Sequence, residues 1–141
     1  MNAVQIVTIK AKIPLFKGDD KAERIELIQL EENGFELVSQ KELFKENDKA
    51  VFIQPDSCLS NIPLFQSFID GSYLGKNNRI RAKKFNFHRG DGISVYSNGI
   101  LLQLSEITKE FPFYWGKDYL NYLDKLQTDL QITKYEEPET N

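Results

Sequence analysis

Between Lys76 and Arg89 the chain carries Lys76, Arg79, Arg81, Lys83, Lys84 and Arg89 with no acid among them. The chemistry such a run does well is neutralising phosphates along a nucleic-acid backbone. Arg79, Arg81 and Lys83 alternate, so on an extended strand all three project from one face while Ile80 and Ala82 point inward. Lys10 and Lys12 share a face of an earlier extended segment in the same way. Phe87, His88 and Arg89 follow the basic run and could add stacking and charge. The plainer alternative is a solvated strand with its cations in water and an exposed loop tip after it. The chain as a whole has a net charge of −3, and its acids crowd residues 18 to 48. The distribution therefore carries more information than the sum.

Other chemistry finds less support. One His and one Cys cannot build a structural zinc site. A nucleophile–base pair on His88 is conceivable, but His88 lies in a polar, Gly-rich stretch that reads as an exposed loop. Gly90-Asp91-Gly92 is too short to cradle phosphates and has no helix after it, so it reads as a turn. Phe113, Tyr114 and Trp115 beside Pro112 read as aromatics sealing a barrel end, with a stacking platform as the alternative.

The elements that would position these residues are mostly strands. Val4 to Ile13 alternates apolar and polar residues with a phase change near Thr8, which predicts a bulged strand. Residues 14 to 21 read as a loop, 24 to 30 as a second strand, and Asn33-Gly34 as the turn into a third strand over 35 to 39. Lys49 to Gln54 is a fourth strand ended by Pro55. Residues 62 to 69 predict a short helix capped by Asn61, with Pro63 in its first turn. A fifth strand is predicted over 79 to 85, an excursion over 86 to 96, and a sixth strand over 99 to 104. The stripe Tyr119, Leu120, Tyr122, Leu123, Leu126 and Leu130 predicts a helix over 117 to 130. Short strands punctuated by turns predict a mainly β fold, a five- or six-stranded barrel with a short inserted helix and a C-terminal helix.

Size and composition fit this. At 141 residues the chain suits one domain with a real core, and 40% apolar with 28% charged residues is an ordinary globular profile. Its apolar runs are too short to span a bilayer, and its first residues lack the basic flank and apolar stretch of a signal peptide. The lone Cys58 excludes an intrachain disulfide and fits a reducing, cytoplasmic setting.

Several segments in order carry a resemblance. They are Val7 to Ile13, Asp20-Lys21-Ala22-Glu23-Arg24-Ile25-Glu26, Asn33-Gly34-Phe35-Glu36-Leu37-Val38, and Phe44 to Phe52 with Asn47-Asp48. Next come Pro55-Asp56-Ser57-Cys58-Leu59, Arg79-Ile80-Arg81-Ala82-Lys83-Lys84-Phe85, and Ser97-Asn98-Gly99-Ile100-Leu101-Leu102. The chain ends in Thr133-Lys134-Tyr135-Glu136-Glu137-Pro138 and three further residues. In this order they resemble the N-terminal OB-like module of ATP-dependent RNA ligases, where a Thr-Lys-Tyr-Glu-Pro-like linker leads into the catalytic domain. Departures are the 86–96 excursion, the 111–119 region without a counterpart, and Asn47 in place of a glycine. Asn also visits left-handed backbone.

The resemblance implies an OB-like domain over 1–132 and a linker-like tail over 133–141. It implies a module that binds RNA, at a nick or a 3′-OH end, to assist a separate nucleotidyltransferase. The residues expected to meet that RNA, from their charge and alternation, are Lys10, Lys12, Arg79, Arg81, Lys83, Lys84, His88 and Arg89. Nucleotidyl transfer in that superfamily uses a lysine nucleophile in Lys-x-Asp-Gly. In Phe68-Ile69-Asp70-Gly71 the lysine position holds Phe68, and no other segment fits. The chain is thus expected to be no enzyme on its own and to bind no cofactor, with ATP and Mg²⁺ belonging to a catalytic domain elsewhere. The rival reading is a protein-interaction barrel that has lost nucleic-acid binding, which the net negative charge favours. A tRNA-binding OB domain shares the barrel but leaves the Thr-Lys-Tyr-Glu-Glu-Pro ending unexplained.

Overall fold

In the computed structural model, which describes residues 3–71 and 74–136, the longest element is β1, Val4–Lys17. It runs past the expected loop, because Pro14 lies within the strand and Gly18-Asp19 alone makes the turn into β2, Asp20–Leu30. The loop expected over 14–21 is thus a tight hairpin, with Gly18 supplying the left-handed residue that its turn needs. β3 is Glu36–Gln40 and β4 is Lys49–Ile53. β5 is the short Ser57–Cys58. β6, Lys83–His88, and β7, Ser94–Ser97, form a hairpin, and β8 is Ile100–Gln103. β9 is Thr133–Lys134.

β1 hands over from one main partner to another along its length. Val4 to Thr8 pair with β4, and Ile9 to Lys17 pair with β2. The bulge falls between Ile9 and Ala11, close to this handover, as the phase change in the sequence suggested. An extra residue bends a strand, which lets one strand belong to two sheet halves. The ladders run β3-β2-β1-β4-β8, with β6 touching β1 at the Phe16–His88 pair and β7 beyond β6. β3 and β7 meet through the Asn98 N–H donating to the Glu36 carbonyl (2.9 Å) and the Val38 N–H donating to Ser97 Oγ (3.0 Å). These are junction bonds, not a ladder. The mainly β expectation holds, with seven strands in the large sheet where five or six were expected.

Among the described residues, three α-helices close the other side. α1, Gln66–Asp70, follows a 3-10 turn at Pro63–Phe65; α2 is Leu104–Glu110 and α3 is Leu123–Asp129. Asn61 does not cap the first of these. The cap position is Ile62, without a side-chain bond, and the Asn61 side chain instead faces Asn78 Nδ2 at 3.4 Å. The helix expected over 117–130 is two pieces, a 3-10 turn at Tyr119–Tyr122 and then α3, because Asp118 caps the first turn and Tyr122 leaves helical geometry. Leu126 and Leu130 of the expected stripe are buried, whereas Leu120 is exposed. α2 was not expected. Its start is a capping box in which the Gln103 N–H donates to Glu106 (2.9 Å), so the predicted sixth strand ends one residue early.

The core has three parts. Val51, Ile53, Phe65, Leu102, Ile107, Tyr114 and Leu126 fill the space under the helices. Val7, Ile9, Ile28, Leu30, Phe44 and Phe52 lie between the sheet halves. Leu15, Leu27 and Val95, with Ile13, Ile25, Val38, Phe85 and Phe87 around them, pack together from β1, β2, β3, β6 and β7.

Candidate nucleic-acid interface

The basic run does not form one strand face. The strand begins only at Lys83, and Arg79 and Ile80 sit in single bridges to Cys58 and Leu74. Ile80 is buried as expected, but Ala82 is exposed. The even alternation from Arg79 to Lys83 is broken because residues 79–80 are bonded to the Asp56–Ser57 segment. The Asp56 N–H donates to the Ile80 carbonyl and the Ile80 N–H to the Ser57 carbonyl, both at 2.8 Å.

Arg79 points its guanidinium at Asp56, with Nε at 2.9 Å and Nη2 at 2.6 Å from Oδ1, and lies 4.1 Å from the centre of the Tyr135 ring. The Asp56 bond raises the arginine pKa further, so it stays charged and occupied. Tyr135 reaches that position because β9 pairs antiparallel with β5 and the Tyr135 N–H donates to the Asp56 carbonyl at 2.9 Å. The first residues of the linker-like tail are therefore strapped to the domain. Residues 137–141 of that tail lie outside the described residues.

Three more of the candidate residues have structural partners. Lys12 lies 3.4 Å from Glu26, whose carboxylate is buried. Removing Lys12 would leave that charge uncompensated. Arg89 forks onto both oxygens of Glu36, which raises the arginine pKa and ties the tip of the β6–β7 hairpin to β3. His88 Nδ1 accepts from the Gly90 N–H (3.0 Å), which leaves Nε2–H to donate to the Gly18 carbonyl (2.8 Å). Its ring also stacks on Phe16 at 5.9 Å. His88 thus joins the tips of two hairpins. The 86–96 excursion is strand over 86–88 and 94–96, with a register shift between Phe85 and His88, and the Asp91 side chain accepts from the Ile93 N–H in its turn.

Arg81 and Lys83 are the pair that the fold brings together. Both are exposed, and both line a cleft of about 540 Å³ with walls from the β3, β6 and β8 strands and from α1 and α2. Its walls include Val38, Leu43, Phe68, Leu74, Phe85 and Leu101, with Ser39, Gln40, Ser97 and Glu106 as polar lining. Lys83 Nζ lies 5.2 Å from the centre of the Phe85 ring. The Arg81 stem passes over Gly75, where a Cβ would lie 2.7 Å from its Cδ. Lys84 faces the other side of β6, opposite the exposed Tyr96, and Lys10 is exposed on β1. The cleft itself was not legible in the sequence, since its walls come from segments far apart in the chain.

Among solved structures, the chain is similar in fold to part of an RNA ligase. A Naegleria gruberi RNA ligase variant with AMP and Mn superposes with a TM-score of 0.66 at 23% identity, over 100% of this chain and 37% of that one. The same enzyme with PPi gives 0.65 at 23%, again over 100% and 37%. An apo variant gives 0.64 at 24%, over 97% and 36%. This chain thus spans little more than a third of the length of those enzymes. No protein-family model matches it, and no curated protein does.

The aromatic segment at 112–115 divides. Tyr114 is 1% exposed and its hydroxyl donates to Asp129 Oδ2 at 2.7 Å, the oxygen that Lys125 Nζ also reaches at 2.8 Å. Burial and the Asp129 contact push the Tyr114 pKa well above its ordinary value. Trp115 and Phe113 are 69% and 42% exposed. Among the described residues no group of His, Cys, Asp and Glu is placed to hold a metal ion, and no helix is long and apolar enough to cross a membrane.

Proposed function

We propose that this chain is an OB-like, RNA-ligase-related module that binds RNA at a nick or a 3′-OH end and does no chemistry itself. The observation that carries the reading is the likeness in fold, over the whole chain, to about 37% of RNA ligase structures. The strand order supports the OB assignment. β3, β2 and β1 pair in order, β6 returns to β1 at Phe16–His88, and its partner β7 meets β3 through the Asn98 and Val38 bonds. A small, partly open five-stranded barrel of this kind offers cations to phosphates and aromatics to bases. A separate nucleotidyltransferase, with ATP and Mg²⁺, would supply the covalent chemistry in a cytoplasmic setting.

Within the candidate set, Arg81 and Lys83 are assigned the phosphate contacts, with Lys84 and Lys10 as outlying cations. Lys12, Arg79, His88 and Arg89 are assigned to holding the fold around them. Arg81→Ala/Lys83→Ala should weaken RNA binding about equally across sequences. It should also reduce the slope of log K against log salt by about one for each phosphate left without its cation. Anisotropy titrations of parent and variant at two salt concentrations measure this, and equal binding by both would refute the assignment.

A second reading, docking of a protein, draws on the exposure of Trp115 and Leu120, 69% and 64%, on a chain of net charge −3. Co-purification with a protein, without salt-dependent RNA affinity, would favour it.

A further inference from the structure

We infer that the Arg81–Lys83 cleft is a pocket for one unpaired base of an RNA strand, its cations holding the adjoining phosphate. This rests on the RNA-binding reading and names what the module selects. A duplex buries its base faces in the stack, so an apolar, aromatic-walled pocket gains nothing from it. An unpaired base offers a π face, and stacking on aromatics tolerates any sequence.

The cleft has the parts. At about 540 Å³ it falls in the size range of small-ligand pockets. Phe68 from α1 and Phe85 from β6 stand in its walls, both half-buried, so each is held by packing and still borders the opening. Lys83 beside the Phe85 ring puts a cation next to an aromatic surface, which couples a phosphate contact to a stacked base. Arg81 lies over Gly75 at the same opening. The acid in the lining, Glu106, has one carboxylate oxygen engaged as acceptor of the Gln103 N–H that starts α2. The charge complementarity therefore favours an anionic strand. A 3′ end frayed from a nick, or a single strand, provides such a base.

The test uses the parent protein and a short RNA with 2-aminopurine at its 3′ end, presented as a single strand and as the strand of a blunt duplex. Anisotropy reports binding and 2-aminopurine emission reports stacking. The expected result is about tenfold tighter binding of the single strand, with the probe quenched on binding. Phe85→Leu should reduce both preference and quenching while thermal melting shows a folded protein. Binding of strand and duplex alike, with unchanged emission, would overturn the base pocket and leave the RNA reading standing. Absence of any RNA binding would overturn both. Displacement of the strand by an equal concentration of AMP would also overturn the inference, since the cleft would then be a mononucleotide pocket.

Discussion

Single residues explain why particular letters stand where they do. Gly99 has φ +80°, and a Cβ there would lie 2.7 Å from the Ile53 carbonyl oxygen and against the Phe52 ring. Only glycine satisfies both constraints, and it is the glycine of the Ser97-Asn98-Gly99 segment that carries part of the resemblance. Gly99→Ala should destabilise the domain by about 2–4 kcal/mol from backbone strain and overpacking together. Urea unfolding of the two proteins measures it, and a change below about 0.5 kcal/mol would contradict the close approach. Asn47 was also legible. It stands where a glycine was expected and has φ +70°. The roles of Arg79, Arg89 and Lys12 were not, because Asp56, Glu36 and Glu26 lie well away from them along the chain. Alternation along a strand predicts which way a cation points but says nothing of the acid that meets it.

At the scale of elements, strands were legible where apolar alternation was regular and a turn residue ended it. β2, β3, β4 and β8 fall within a few residues of expectation. α2 was missed because its seven residues offer barely two turns of periodicity, although the Gln103–Glu106 spacing was there to be seen. The β2–β3 hairpin depends on a contact that local pattern cannot show. Glu32 accepts from the Thr8 N–H and the Thr8 hydroxyl, both at 2.7 Å, and Lys49 Nζ donates to the same hydroxyl at 2.6 Å. Burial pushes the Glu32 carboxyl up, but these donors outweigh it and hold its pKa below the ordinary value. A lowered folded-state pKa means its stabilisation is fully present above the ordinary glutamate value and is lost as pH falls through the folded value. Glu32→Gln should therefore lower Tm at neutral pH, and the gap to the parent should close in acid below the ordinary carboxylate range. A gap that stays constant down to that range would contradict the assignment.

The whole molecule joins an acidic chain to a local basic cleft. Net charge alone pointed away from nucleic acid, yet Arg81 and Lys83 share one opening. The mainly β class was legible from turn spacing, whereas the return of β6 to β1 and the β7–β3 junction bonds were not, since they join distant parts of the chain. The measurement that bears most directly on the account is anisotropy binding of the parent protein to single-stranded RNA and to a nicked RNA duplex, each at low and at physiological salt. The account predicts binding to both that weakens steeply as salt rises, the signature of released counterions. No binding to either RNA at low salt would contradict it and leave the exposed Trp115 end as the functional surface.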